Sequence, residues 1–177
     1  MDKTIIKNIK EKLGYKNDLE VPKIKKIVLN IGAGRLSQQS GFEDRILPEI
    51  IKDFSLISGQ KPSICKAKKS IAGFKIREGQ IIGLKITLRK KRMDDFFKKL
   101  INVVIPRLRD FKGLDLRSVD SGGNLTIGFK DQMVFPEINP ETSKVDFGLE
   151  ISIVSNIKNK EKAIEFYRIL GVPLKKN

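Results

Sequence analysis

Apolar positions along this chain recur with two periods, and each change of period marks a change of element. Ile5, Ile6, Ile9 and Leu13 fall three to four residues apart, the spacing of one helical stripe. Asp2 can cap the start of that helix, and Gly14 can end it. Val21-Pro22 breaks the chain. Lys25 to Ile31 then alternates, with Ile27, Leu29 and Ile31 on one face of a strand and Val28 and Asn30 on the other. Helical spacing returns from Asp44 to Gly59 through Ile46, Leu47, Ile50, Ile51, Phe54 and Ile57, with Pro48 harmless in the first turn.

Two further alternating runs follow. Ser63 to Lys69 points Cys65 and Ala67 inward and Lys66 and Lys68 outward; Leu84 to Lys90 points Leu84, Ile86 and Leu88 inward and Lys85, Thr87 and Arg89 outward. A third helix opens at Met93 or Asp94, with Phe96, Phe97, Leu100, Ile101, Val104 and Leu108 on its inner side. Pro106 predicts a kink or a new turn near Val103 to Ile105. Leu125, Ile127 and Phe129 mark a fourth strand after the turn Ser121-Gly122-Gly123-Asn124, and Leu149, Ile151 and Ile153 a fifth. Lys158 to Leu170 closes as a helix stopped by Gly171 and Pro173.

The resulting order is α-β-α-β-β-α-β-β-α. It predicts an α+β fold: a single domain over 1–177, with a largely antiparallel sheet, helices packed on one face and a basic, RNA-facing opposite face. That opposite face is expected to carry Asn30, Lys66, Lys68, Lys85, Thr87, Arg89, Thr126 and Lys130. Asn30, polar and late in a strong strand, either bonds the following turn or is displayed outward. Residues 131 to 147 form a long link with two prolines, and links of that length are usually functional or mobile.

Charge sharpens this picture. The chain of 177 residues has a formal net charge of +15, and the stretch Gln60 to Arg92 alone holds 11 Lys and Arg against one acid, Glu78. A patterned polycationic stretch predicts attraction to a phosphate backbone. The connection from Ser70 to Gly83 protrudes as a Gly-punctuated loop with Phe74, Lys75 and Arg77 outward; Gly73, Gly79 and Gly83 allow it several conformations.

Other chemistry finds little footing. With no His and no pairing of inward carboxylates, no acid–base machinery can be assembled. Cys65 is the single cysteine, which excludes an internal disulfide and fits a reducing compartment. No Cys/His spacing suits a metal, so no cofactor is expected. Gly32-Ala33-Gly34-Arg35-Leu36-Ser37 fails as a dinucleotide fingerprint because Ser37 stands where the third glycine belongs. No apolar run is long enough to span a membrane, and the first residues carry no signal-peptide pattern. Stacking aromatics in the manner of an RNA-recognition domain are missing too.

The segments VLNIGAGR, ISGQKP, KAKKSIAGFKIREGQIIGLKITLR, RLRDFKG and MVFPEI, in this order, resemble the family of ribosomal protein number five of the bacterial large subunit. The resemblance covers nearly the whole chain. It implies a cytoplasmic, ribosome-bound protein that binds 5S rRNA and attaches it to the central protuberance. Large-subunit 23S-type rRNA and other central-protuberance proteins are implied as neighbours. It further implies contact with P-site tRNA through the loop and a bridge to small-subunit ribosomal protein thirteen, using part of 131 to 147. Motif by motif, the 5S-contacting residues fall on Asn30, Gln60, Thr87 and Phe74, joined by the strand cations Lys66, Lys68, Lys85 and Arg89. The tRNA-facing loop residues fall on Ser70, Lys75, Arg77 and Gln80. This chain has Phe147-Gly148-Leu149 where many relatives have Arg-Gly-Met. The rival reading is a general basic RNA-binding chaperone that binds many RNAs alike.

Overall fold

Among the described residues, four α-helices and five strands occur in the order that the two periods predict. A computed structural model describes residues 3–15, 17–109, 111–141 and 143–175. The helices are α1 (Lys3–Leu13), α2 (Leu47–Ser58), α3 (Lys90–Lys99) and α4 (Lys160–Ile169). The strands are β1 (Ile24–Gly32), β2 (Ser63–Lys66), β3 (Ile81–Leu88), β4 (Leu125–Phe129) and β5 (Leu149–Ser155). They form one five-stranded sheet in the order β2-β3-β1-β5-β4. The expected cap Asp2 and the side chain of Ile5 lie outside the described residues.

Burial along the strands is one-sided, as an α+β fold requires. In β1, Ile27, Leu29 and Ile31 are fully buried while Asn30 is exposed. In β3, Leu84, Ile86 and Leu88 are buried and Lys85 is exposed. Leu125, Ile127 and Phe129 of β4 and Leu149, Ile151 and Ile153 of β5 repeat the pattern. The described chain gathers into two compact units. One takes in residues of Met1–Ile27, Arg89–Ile127 and Ser152–Asn177; the other comprises Val28–Leu88 and Gly128–Ile151.

Within the first unit, α1 packs on α4, and Gly123 is the position that tolerates least. Its φ is +77°, and a Cβ there would stand 2.4 Å from the Ile157 carbonyl oxygen. The Gly123 carbonyl accepts hydrogen bonds from Ser155 Oγ at 3.0 Å and from the Tyr167 hydroxyl at 2.9 Å. Burial pushes the Tyr167 phenol up to about 12, because a phenolate would lose its solvation there. Nearby, the Asn124 side chain and backbone N–H donate to Asp120 and hold its carboxyl below the usual range. Asn159 caps α4 by accepting from the backbone N–H groups of Glu161 and Lys162.

The Pro106 expectation is met by a change of helix type. After α3 the chain widens into a π-helical turn over Leu100–Val104 and then tightens into a 3-10 turn over Ile105–Arg107. Proline offers no N–H to the preceding turn, so the regular ladder cannot run through it. The helix itself starts earlier than expected, at Lys90, with Arg89 as its extended N-cap.

In the second unit, α2 lies against β3. It follows a π-helical turn at Phe42–Ile46 that buries Phe42, and it ends at Gly59, where φ is +66°. The long link 132–147 proves to be pinned. Phe135, Ile138 and Phe147 are buried, and the Phe135 ring meets Phe129 edge-on at 5.7 Å. Gln132, fully buried, donates to Ser143 Oγ and to the Val145 carbonyl and accepts from the Phe147 N–H. Ser143 Oγ in turn donates to the buried Asp53 carboxylate at 2.7 Å. Phe147 is a core residue.

Candidate nucleic-acid interface

Alternation puts Asn30 of β1 and Lys85 and Thr87 of β3 on the sheet face away from the core; Asn30 and Lys85 are exposed and Thr87 is half-buried. Asn30 makes no side-chain hydrogen bond among the described residues, so bonding the following turn is not its role. Thr87 likewise makes none. A displayed amide and hydroxyl without partners are groups that an external acceptor or donor can take up.

β2 departs from the expected parity. Its antiparallel register pairs Ser63 with Lys85, Ile64 with Leu84 and Cys65 with Gly83. Directly opposed residues share a face. Cys65 therefore sits with Ser63 and Lys85 on the outer side, half-buried, and Ile64 faces the other side opposite Leu84 but, on an edge strand, stays 44% exposed. An irregularity between Cys65 and Lys66 then shifts the register, so that Lys66 pairs with Ile81. The expectation of an inward Cys65 thus fails on the pairing register itself, and the bulge after it lets Lys66 follow on the same outer face. Gly83 is the residue that permits this packing, since a Cβ there would meet the Ile31 carbonyl oxygen at 2.7 Å.

Two predicted strand cations also lie off the sheet. β2 ends at Lys66, so the exposed Lys68 stands in the bend that follows; β3 ends at Leu88, so the exposed Arg89 is the helix cap of α3. Lys66, Lys68, Lys75, Arg77, Lys85 and Arg89 are all exposed or half-buried at most, and none forms an ion pair with a described residue. Cations that find no acid among the described residues remain available to an outside anion.

The loop lies three residues earlier than expected and is better held than its glycines suggest. Ile81, Ile82 and Gly83 belong to β3, which leaves 67–80 as the connection. Ile71 and Ile76 form an antiparallel bridge, N–H to carbonyl at 2.9 and 3.2 Å in the two directions. Ala72–Phe74 makes a 3-10 turn between them, and Lys75 adopts left-handed φ of +53°. The Ser70 hydroxyl accepts from the Glu78 N–H, and the Gln80 side chain accepts from the Arg77 N–H. The Phe74 ring is left 68% exposed at the head of this structure. Gln80 is half-buried and donates back to Ser37 Oγ at 3.0 Å. Gln60, also half-buried, follows α2 and bonds Ser58 Oγ through its backbone.

Residue patterns missed Ser37 and Gln38. The 3-10 turn Leu36–Gln38 brings Gln38 Nε2 to the Phe74 carbonyl at 2.8 Å. The only signal in the sequence is a polar run, Ser37-Gln38-Gln39-Ser40, after a turn that no ligand motif explained.

Among the described residues no His, Cys, Asp and Glu group could hold a metal ion, and no helix is long and apolar enough to cross a membrane. Comparison with known proteins accounts for nearly the whole length. The family model "Ribosomal protein L5" matches residues 17–77, and the model of the same ribosomal family's C-terminus matches residues 81–174. The large ribosomal subunit protein uL5 of Clostridium tetani is 47% identical over 174 residues, covering 97% of this chain and 93% of its own. That of Desulfatibacillum aliphaticivorans is 45% identical over 168 residues, 95% of this chain and 92% of its own. That of Fusobacterium nucleatum is 43% identical over 175 residues, 99% and 93%.

A basic α+β protein with these relatives falls in the class of ribosomal proteins, structural components and not enzymes. Within that class, the chain belongs to the ribosomal protein L5 family.

Proposed function

We propose that this protein, as a constituent of the large ribosomal subunit, binds 5S rRNA and attaches it to the central protuberance beside the large-subunit 23S-type rRNA and neighbouring proteins. The observation that carries the reading is the outer sheet face. Asn30 and Thr87, two of the residues that the family motifs assign to 5S contact, stand there with side chains unpartnered among the described residues, next to Lys85 and among exposed cations that pair with no described acid. Phosphates supply the anions for the cations, and base or ribose edges supply partners for the amide and hydroxyl. Gln60 and Phe74 extend the same contact.

Two further contacts belong to this reading. The loop carrying Ser70, Lys75, Arg77 and Gln80 reaches P-site tRNA, with Ser70 and Gln80 holding the loop's shape and the two cations meeting the partner. The segment 131–147 carries four acids, Asp131, Glu137, Glu141 and Asp146, against one base, Lys144. An acidic, pinned segment suits a basic protein better than RNA, which supports a bridge to small-subunit ribosomal protein thirteen.

The test is binding at matched ionic strength to 5S rRNA, to an unrelated structured RNA of the same length, and to anionic vesicles. The expected result is a preference for 5S rRNA of at least about tenfold, the scale of one good polar contact, that Asn30→Ala diminishes. Equal binding to both RNAs would favour a general RNA chaperone, and preferential vesicle binding a membrane-surface protein.

A further inference from the structure

The glycine turn after β1 does not match a dinucleotide fingerprint, yet its polar end is spent on one object, the loop between the basic strands. Ser37 N–H bonds the Ala33 carbonyl at 2.8 Å and Ser37 Oγ the Gly34 carbonyl at 3.0 Å, which fixes the turn. From this base, Gln38 Nε2 donates to the Phe74 carbonyl at 2.8 Å. Gln80 Nε2 donates to Ser37 Oγ at 3.0 Å, with the Ser37 carbonyl at 3.4 Å from the same nitrogen. The far side of the Gln80 amide holds the Arg77 N–H at 2.9 Å. Both ends of the segment 74–80 are thus gripped by a turn some forty residues earlier in sequence.

What the grip holds is costly to hold. Phe74 keeps its ring 68% exposed, and the adjoining Lys75 sits in the left-handed region that non-glycine residues seldom occupy. Left free, the loop could fold the ring against the protein and relax Lys75. A strained, ring-out conformation persists only where its surroundings enforce it. The Gln38 bond is to the carbonyl of Phe74 itself, so it fixes the backbone from which the ring projects.

We propose that Gln38 and Ser37 are positioning residues for RNA recognition: they brace the loop so that Phe74 is presented outward before the RNA arrives. Neither residue touches the RNA in this account; each acts through the loop. Prior ordering lowers the entropy lost on binding, and that is where the gain in affinity arises. The inference rests on the proposed contact between Phe74 and 5S rRNA.

The test is a double-mutant cycle on 5S rRNA affinity, using Gln38→Ala, Phe74→Ala and the pair, with Asn30→Ala measuring the sheet contact separately. Gln38→Ala is expected to weaken binding about 3- to 10-fold, the scale of ordering one or two side chains. The slope of log K against log salt should stay unchanged, because no cation is removed. In the Phe74→Ala background the same substitution should cost nothing more. Gln39→Ala, one residue along and outside this network, is the control and should bind as the unsubstituted protein does. Ser37→Ala provides a second route to the same loss, should Gln38→Ala disturb folding as read by thermal unfolding. Additive losses would make Gln38 a separate contact and overturn the proposal. So would a normal Gln38→Ala alongside a weakened Phe74→Ala. If Phe74→Ala binds normally while Asn30→Ala is weakened, the positioning role falls and the sheet contact stands. If both bind normally, the 5S reading itself falls.

Discussion

Asn30 is the residue on which two roles diverge most sharply. Had its amide bonded the turn after β1, its loss would cost stability; with no partner among the described residues, its loss should cost binding alone. Asn30→Ala and Thr87→Ala are each expected to weaken 5S rRNA binding by about 1–3 kcal/mol, the cost of leaving a buried RNA group unpaired. The thermal midpoint should hardly move. A marked loss of stability with normal binding by the folded fraction would return both residues to a structural role. Tyr167 is the opposite case, a residue wholly interior. Tyr167→Phe removes the bond to the Gly123 carbonyl and should cost roughly 1–2 kcal/mol of stability near neutral pH. Its phenol is raised from 10.0 to about 12 in the fold, so between those values the unfolded chain releases the proton first. The stability that the neutral phenol contributes is complete below about pH 10 and is lost as pH rises through about 12. Denaturant unfolding of the two proteins should therefore show a gap that narrows over that window. A gap independent of pH would mean that the hydroxyl is not buried as described.

The loop between β2 and β3 is the element whose chemistry is easiest to misjudge from its glycines. Gly73 and Gly79 suggest a flexible arm, yet the Ile71–Ile76 bridge and the Gln38 and Gln80 bonds hold it in shape. Its cations Lys75 and Arg77 are displayed on this braced frame, while Lys66 and Lys85 stand on the strands. Replacing Lys75 and Arg77 together with Ala is expected to impair P-site tRNA retention in assembled ribosomes several-fold. Occupancy by 5S rRNA should fall less, because Asn30, Thr87, Lys66 and Lys85 are untouched. Comparing 5S content with tRNA retention in ribosomes carrying the double variant checks this. Loss of 5S rRNA with normal tRNA retention would show that the loop and the strands do not divide the work. Within β2, the pairing of Ser63 with Lys85 and Cys65 with Gly83 decides which side chains share the face with Lys85, and the bulge after Cys65 adds Lys66 to it. Exposure of Cys65 on that side follows from pairing geometry and not from its chemistry.

For the molecule as a whole, charge governs the strength of binding and its dependence on salt. Of the formal +15, the stretch Gln60 to Arg92 supplies most, with 11 bases against one acid. If these cations meet about six phosphates, log K for 5S rRNA should fall with log salt at a slope of about −4 to −5. Raising salt from roughly 50 to 200 mM would then lower affinity on the order of 10³-fold. A filter-binding or calorimetric titration across that range measures the slope directly. A value near zero would show that the phosphates are not what the basic stretch meets, whatever the fold.

Local repetition carried most of the architecture into the sequence itself. Ile27, Leu29 and Ile31 declare β1, and the stripe from Leu47 to Ile57 with Pro48 and Gly59 declares α2, because period and punctuation are properties of neighbouring residues. The basic stretch, the outward Asn30 and Thr87, and the family motifs were legible for the same reason. What no local pattern could show are bonds between distant segments. Gln132 orders the 132–147 link, and Ser143 of that link reaches Asp53, 90 residues away in the chain. Gln38 meets Phe74 across 36 residues. The register that turns Cys65 outward is likewise a property of two strands paired, not of either one alone. The sequence thus determined the elements, their order and their charge, since each is written in a run of adjacent side chains. The tertiary structure decided how the loop is held and which groups are left free, because only the folded chain brings a donor and its acceptor together.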